Sequence, residues 1–224
     1  MTIQGMREGV KKHKILIGIL FVLLIASLLI TYSVSGLRNA SLGSSQGADY
    51  SGFEKAVAQQ RDDLKANPDD YSANYSLANT LYEYATQLVN DDAATALTYY
   101  EEAGGLYLKA LENAPADLND QGKANMYSKA ATCYSVAGNN EEAAKNFEAA
   151  IELAPADLET SVIYARHLVS IGEYDAAQQV MTDLVGNTDD EQVVTSANSI
   201  IEQIKTAKDS AANAGTAAQP GESE

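Results

Sequence analysis

The feature that most constrains this fold is a short string of residues that recurs along the chain. Ala-Pro-Ala-Asp-Leu occupies residues 114–118 and again residues 154–158, and a looser copy, Asn-Pro-Asp-Asp-Tyr, occupies residues 67–71. Each copy follows an amphipathic segment, and its proline ends that segment because the proline ring cannot continue the hydrogen-bonded backbone of a helix. The sequence therefore predicts similar helical units that stack along the chain.

Two windows carry the clearest units, residues 124–157 and residues 158–189. In each window a glycine, Gly138 or Gly172, separates two helical segments at a place where a left-handed residue is needed. Small residues would let the two helices of a unit approach closely, and large residues would fill the space between units. The small residues are Ala130, Ala131, Ala143, Ala150, Ala165 and Ala177, and the large ones are Tyr127, Tyr134, Phe147, Tyr164 and Met181.

These positions resemble the tetratricopeptide repeat, a helix–turn–helix unit of about 34 residues. Residues 124–157 match its aromatic, small and closing proline positions at nearly every diagnostic place. Residues 158–189 also match it, although Ser161 replaces the first aromatic residue and Asp189 replaces the closing proline. An earlier unit, residues 71–117, is about a dozen residues longer than the family repeat.

The resemblance implies that residues 50–208 form an all-α solenoid of about three helix pairs with flanking helices. Residues 53–66 are expected to cap the first pair or to be the second helix of a degenerate repeat. Residues 190–208 have apolar residues at helical spacing, so they are expected to cap the last repeat. Residues 209–224 are small, polar and aperiodic, and we expect them to form a disordered tail.

An uncharged, apolar segment precedes the repeats. Residues 15–35 contain no charged side chain, and about 20 mostly apolar residues suffice for a helix to cross a bilayer. Cations lie just before this segment, so the positive-inside rule places residues 1–14 in the cytoplasm and the repeats outside it. These cations are Arg7, Lys11, Lys12 and Lys14. The sequence therefore predicts one transmembrane helix that anchors the protein in the cytoplasmic membrane.

A cleaved signal peptide is the alternative to this anchor. Ser33, Val34 and Ser35 form the small-x-small pattern of a cleavage site, and cleavage before Gly36 would release a secreted protein. The apolar segment is longer than the roughly 7–15 residues usual in signal peptides, which favours the anchor. Residues 36–49 are rich in serine and glycine, so we expect them to form a flexible linker.

The charge of the chain is unevenly distributed. From Gly36 onward there are 11 basic and 30 acidic residues, a net charge of −19. A domain with this charge repels phosphate backbones, so nucleic-acid binding is not expected. The acidity is most simply explained by solubility, and a basic partner or a bound cation is the alternative.

Few residues could support catalysis or hold a cofactor. Cys133 is the single cysteine, which excludes an internal disulfide and a cysteine-based metal site. His167 falls in a predicted helix beside small packing residues, and we expect it to be packed or half-exposed there. The sequence has no glycine-rich phosphate loop, no serine elbow and no zinc-ligand spacing. It therefore predicts a protein that is not an enzyme and binds no metal or cofactor.

Two further motifs have a structural explanation that we favour. Residues 117–122 resemble the start of a calcium loop, but Ser128 stands where the closing glutamate would be. A loop that ends in an Asp or Asn helix cap explains this segment better. Residues 74–76 match a glycosylation sequon but lie within a predicted helix, so we interpret the match as chance. Gly104 and Gly105 also lie within a predicted helix, where they would allow close helix contact or a kink.

The resemblance implies a binding surface as well. In tetratricopeptide arrays the first helices line a concave groove that commonly holds a peptide or a partner's helix. This chain lacks the Lys-Asn-Asn-Lys-Arg set by which chaperone-binding members hold a carboxylate, since only Asn79 and Arg166 match it. The predicted groove residues are Tyr75, Asn79, Tyr82, Glu83, Asn125, Ser128, Thr132, Ser135, Glu159, Val162, Arg166 and Val169.

Together these features predict a non-enzymatic scaffold, anchored in the cytoplasmic membrane, whose extracytoplasmic repeats bind a peptide or protein partner. An accessory, chaperone-like subunit of a secretion or envelope-assembly machinery is the alternative, by analogy of fold and topology. A calcium-responsive or enzymatic protein is a third hypothesis, and self-association through a terminal repeat is a fourth.

Overall fold

The computed structural model describes residues 48–217, which form eight α-helices and no strand. The helices follow one another with short connections, as expected for a chain of helical hairpins. In order they are α1 (Ser51–Ala66), α2 (Tyr71–Leu88), α3 (Ala93–Glu112), α4 (Asp120–Ala137), α5 (Asn140–Leu153), α6 (Leu158–Ser170), α7 (Tyr174–Gly186) and α8 (Glu191–Ala217).

The predicted transmembrane segment, residues 15–35, lies outside the described residues, as do most of the predicted linker and the tail from residue 218. Within residues 48–217, no helix is both long enough and apolar enough to cross a bilayer. At the other end of the domain, α8 continues to Ala217, so residues 209–217 of the predicted disordered tail are helical. Four alanines in this stretch favour that continuation, because alanine has the highest helix propensity.

Side-chain caps and glycines fix where several helices begin and end. The Oδ1 atom of Asn119 accepts a hydrogen bond from the backbone N–H of Gly122 at 2.8 Å, which confirms the predicted cap in residues 117–122. Gly138 and Gly172 have φ angles of 85° and 89°, the left-handed conformation predicted for both. Aspartates cap three further helices in the same way as Asn119: Asp70, Asp92 and Asp157.

The helices pack in sequence-adjacent pairs, and each pair packs on the next. α2 packs on α3, α4 on α5, and α6 on α7, while α8 packs on both α7 and α6. The first helices α4 and α6 also contact each other directly. All of the extensive contacts join helices that are one or two positions apart, which is the contact pattern of a solenoid. The predicted all-α, solenoid-like fold is confirmed.

Small residues lie where helices approach most closely. The alanines predicted for these contacts are all buried, and so are Phe147, Tyr164 and Met181, whereas Tyr127 and Tyr134 are half-buried. A Cβ atom on Gly104 of α3 would lie 3.1 Å from the ring of Tyr134 on α4, closer than carbon atoms normally pack. Gly104 therefore lets the ring lie against the helix, which confirms its predicted role in close contact.

The extra residues of the first pair lengthen its helices and do not form a loop. α2 and α3 contain 18 and 20 residues, whereas α6 and α7 contain 13 each. Aromatic side chains occupy the added length, where Tyr84 stacks on Phe53 of α1 at 5.1 Å and packs against Tyr99 of α3 at 5.2 Å. An ion pair between Arg61 and Glu102, at 2.5 Å, also joins α1 to α3.

Candidate functional site: the first-helix face

All twelve predicted groove residues lie on α2, α4 and α6, the first helices of the three pairs, and we call the surface formed by these helices the first-helix face. Direct side-chain contacts join α2 to α4 and α4 to α6, so the three helices lie side by side. The degree of exposure differs along the face. Glu83, Asn125, Glu159 and Arg166 are exposed, Ser128 is buried, and Tyr75, Asn79, Tyr82, Thr132, Ser135, Val162 and Val169 are half-buried.

The α2–α4 junction centres on Lys129, an exposed lysine of α4. Its Nζ atom donates a hydrogen bond to Oδ1 of Asn79 at 2.8 Å and lies 5.4 Å and 5.5 Å from the ring centroids of Tyr75 and Tyr107. The hydroxyl of Tyr107 donates to the same Asn79 oxygen at 2.8 Å, and the two tyrosine rings meet edge to face at 5.9 Å. A cation held over aromatic faces contributes about 0.5–1 kcal/mol where water has access.

Lys129 and Tyr107 belong to this junction, although the sequence analysis did not place them there. Lys129 lies four residues after Asn125 and three before Thr132, a spacing that puts all three on one side of a helix. This spacing could have placed Lys129 on the first-helix face. Its contact with Asn79 could not have been found in this way, because it depends on how α2 and α4 align.

The α4–α6 junction is made of hydroxyls and one imidazole. The hydroxyl oxygens of Ser128 and Thr160 lie 3.1 Å apart, and Ser135 Oγ lies 2.8 Å from Nδ1 of His167. The two pairs have the same sequence separation of 32 residues, so α4 and α6 run side by side in register. Ser128 and Ser135 thus form hydrogen bonds with the neighbouring repeat, and Ser128 is only 8% exposed.

His167 is a buried part of this junction, 3% exposed, which confirms that it is a packed residue. Its ring lies 5.9 Å from Phe147 and 6.4 Å from Tyr164, measured between centroids. Its Nε2 atom has no hydrogen-bond partner among the described residues. Burial lowers the pKa of His167, and the backbone of Asn140 opposes this shift in part. Burial therefore favours the neutral form of the ring.

Two exposed carboxylates lie near the tyrosines of the face. Burial is the main cause that raises the pKa of Tyr82, and Tyr100, Cys133 and the Glu159 carboxylate raise it further. Burial likewise raises the pKa of Tyr107, with smaller contributions that include Glu83. Within residues 48–217, neither Glu83 nor Glu159 forms an ion pair. The negative charge of Glu159 thus acts on Tyr82, and that of Glu83 acts on the buried Tyr107.

Other residues singled out in the sequence are engaged within the fold. Burial raises the pKa of the Cys133 thiol, against a smaller opposing effect of Lys129, so the thiol stays protonated. Asn74, the first residue of the sequon, is buried and donates hydrogen bonds to the carbonyls of Pro68 and Asp70. In the described part of the chain, no group of three or more His, Cys, Asp or Glu side chains is placed to hold a metal ion.

Comparison with known proteins gives one family match. Residues 137–197 match the family model described as tetratricopeptide repeat, a stretch that contains α5, α6 and α7 and the start of α8. Repeats of this kind generally mediate protein–protein interactions and are typically non-enzymatic. A search of curated proteins found no match to this chain.

Proposed function

We propose that this chain is a tetratricopeptide-repeat protein and that its first-helix face binds a peptide segment or a helix of a partner protein without chemical change to either. The observation that carries the proposal is the side-by-side alignment of α2, α4 and α6 through two direct junctions. The alignment leaves exposed polar and charged groups from all three helices on one surface. We count three repeats in the array, α2–α3, α4–α5 and α6–α7, with α8 as the cap.

Site-directed crosslinking in the native cell tests this proposal. A photoreactive amino acid would replace Asn125 or Arg166, two exposed residues of the face, or Lys145, an exposed residue of the second helix α5. We expect a discrete crosslinked partner from the two face positions and none from the position on α5. Equal crosslinking from all three positions would mean that the face has no special role.

We also propose that residues 15–35 anchor the protein in the cytoplasmic membrane with the repeats on the outer side. The supporting observations are the uncharged apolar segment and the cations that precede it. Protease treatment of whole cells should degrade the repeats and spare residues 1–14. The mass of the mature chain decides between anchor and signal peptide, because cleavage before Gly36 would remove the first 35 residues.

An accessory, chaperone-like subunit of a secretion or envelope-assembly machinery remains the alternative, and it rests on the predicted topology. Such a subunit should co-purify with that machinery after mild detergent extraction, whereas a scaffold for other proteins should not. Self-association through a terminal repeat is a separate prediction. Light scattering on the isolated domain would give a dimer mass if it holds and a monomer mass if it does not.

A further inference from the structure

We propose that α8 is a further first helix of the array, and that the partner segment is an extended peptide whose backbone lies along a row of uncharged side chains on α8. We call this row, which comprises Gln192, Ser196, Ser199 and Gln203, the α8 row. The inference rests on the proposed function, because it extends the binding face by one helix and names the form of the segment bound there.

The start of α8 is capped in the same way as the start of α6. The Oδ1 atom of Asp190 accepts hydrogen bonds from the backbone N–H groups of Gln192 and Val193, at 2.8 and 3.3 Å. Asp157 caps α6 by accepting from the backbone N–H of Thr160, which is also three residues further on. The second helices α5 and α7 have no such side-chain cap. Asp190 follows Asp157 by 33 residues, which is about one repeat length.

The pattern of burial also repeats between α6 and α8 at this spacing. Tyr164 and Leu168 of α6 are buried, and 33 residues later Ala197 is buried and Ile201 is half-buried. Helix α8 contacts α6 as well as α7, just as α6 contacts α4 as well as α5. In its cap, its burial and its neighbours, α8 is therefore placed relative to α6 as α6 is placed relative to α4.

Aliphatic side chains form the junction between α6 and α8. Val162 and Val169 of α6 lie 34 residues after Ser128 and Ser135, the two serines of α4 that contact the next first helix. Aliphatic residues of α6 and α8 are half-buried against the same core cluster, and they are Val162, Val169, Val193 and Ile200. The helices α4, α6 and α8 therefore lie side by side, and the first-helix face continues onto α8.

The α8 row is the part of α8 that continues this face. Its members are spaced by four, three and four residues, which places them on one side of the helix. Gln192 and Ser199 lie 33 residues after Glu159 and Arg166, the two exposed residues of the face on α6, and both are exposed as well. A segment bound across α4 and α6 would therefore reach the α8 row next.

An extended peptide fits the α8 row better than a helix does. A helix that binds in a groove buries an apolar stripe, and the row has no apolar side chain to receive it. The backbone N–H and C=O groups of an extended peptide are not paired with each other, so they need partners where water is displaced. The amides of Gln192 and Gln203 both donate and accept hydrogen bonds, so they can bind backbone groups of either kind.

Photocrosslinking from adjacent positions of α8 in the native cell tests this inference. Benzoylphenylalanine would replace Ser199 of the α8 row, Arg166 of α6 or Asn198, one position in each protein. Asn198 is the matched control, because it is exposed and adjacent to Ser199 but lies about 100° away from it around the helix. Mass spectrometry of the crosslinked product identifies the partner and the residue at which it is attached.

We expect Arg166 and Ser199 to crosslink to one segment of one partner, and Asn198 to capture at least about fivefold less of that partner. Neighbouring helices lie roughly 10 Å apart, a distance that an extended chain covers in about three residues and a helix in about seven. The two crosslinks should therefore lie about three residues apart in the partner.

Three results would overturn the inference and leave the proposed function standing. They are capture from Arg166 without capture from Ser199, equal capture from Asn198 and Ser199, and crosslinks that lie about five or more residues apart. Absence of capture from both Arg166 and Asn125 would remove the proposed function as well.

Discussion

The two junctions of the first-helix face occupy equivalent places in the array but are built from different chemistry. The α2–α4 junction is wet and charged, with the exposed Lys129 between Asn79 and two tyrosine rings. The α4–α6 junction is more deeply buried and contains no cation, with the hydroxyls of Ser128 and Thr160 and the imidazole of His167. A cation in water contributes little to stability, whereas a buried polar group that loses its partner is costly. The α4–α6 junction should therefore determine stability, and the α2–α4 junction should remain adaptable for binding.

The largest expected difference comes from truncating one aromatic residue at each junction. Phe147 is fully buried against Tyr164 and His167, so Phe147→Ala should lower the free energy of unfolding by about 3–4 kcal/mol. Tyr75 is half-exposed, so Tyr75→Ala should cost about 1–2 kcal/mol. Urea denaturation followed by circular dichroism measures both values. Equal losses of unfolding free energy would contradict the contrast between the buried α4–α6 junction and the exposed α2–α4 junction.

A smaller effect is expected when the buried hydroxyl pair is broken without changing its volume. Thr160→Val keeps the side-chain shape but leaves Ser128 Oγ and a carboxylate oxygen of Asp157 without the Thr160 hydroxyl. We expect a loss of about 1–3 kcal/mol in the free energy of unfolding, because a buried polar atom becomes unsatisfied. Thr132→Val is the control, since its hydroxyl bonds only to the backbone carbonyl of Ser128 on its own helix. A Thr160 variant as stable as this control would disprove the role of the pair.

The buried imidazole should make the α4–α6 junction sensitive to acid. Burial lowers the pKa of His167 in the folded state below the usual 6.5, so the unfolded chain binds the proton more readily. The free energy of unfolding should therefore fall as the pH drops below about 6.5, and protonation of His167 should have no effect on it well above that pH. The measurement is the difference in unfolding free energy between the natural chain and His167→Gln from pH 7.5 to pH 5.5. A difference that stays constant over this range would rule out the effect.

The smallest change is expected at the wet junction. Lys129→Met removes the cation but keeps an apolar stem between the tyrosine rings, so the cost should stay below about 1 kcal/mol. Salt should weaken the interaction of Lys129 with its neighbours. The unfolding temperatures of the natural protein and the variant should therefore become more alike at about 1 M salt. Thermal unfolding at low and high salt tests this. A loss above about 2 kcal/mol would mean that Lys129 is essential to the packing of α2 on α4.

The sequence predicted the second half of the array better than the first. Residues 124–189 keep the regular spacing of the family, so glycines, prolines and alanines indicate the turns and the contacts of α4 to α7. The pair α2–α3 departs from that spacing, and sequence alone did not tell whether its extra residues form a loop or longer helices. The reason that α3 continues is a row of buried residues at helical spacing, which are Ala96, Tyr100, Ala103 and Tyr107.

The candidate site was predicted as a set of helix faces and not as a set of contacts. Helical periodicity puts Ser128, Thr132 and Ser135 on one side of α4, but it does not say what lies next to each of them. Ser128 and Ser135 proved to contact α6, while Asn125 and Arg166 stay exposed. Lys129 was missed because its partner Asn79 belongs to another repeat. The alignment of α2 with α4, which brings the two residues together, depends on the longer α2–α3 pair.

The central claim is that the partner binds to the first-helix face. Cysteine labelling in the complex tests this claim most directly. Cys133 is buried and does not compete, so a cysteine introduced at Asn125, Arg166 or Lys145 would report alone on its own surface. Adding the partner captured by crosslinking should slow labelling at Asn125→Cys and Arg166→Cys at least about tenfold and leave Lys145→Cys unchanged. Slower labelling at Lys145→Cys, with no change at the two face positions, would contradict the account.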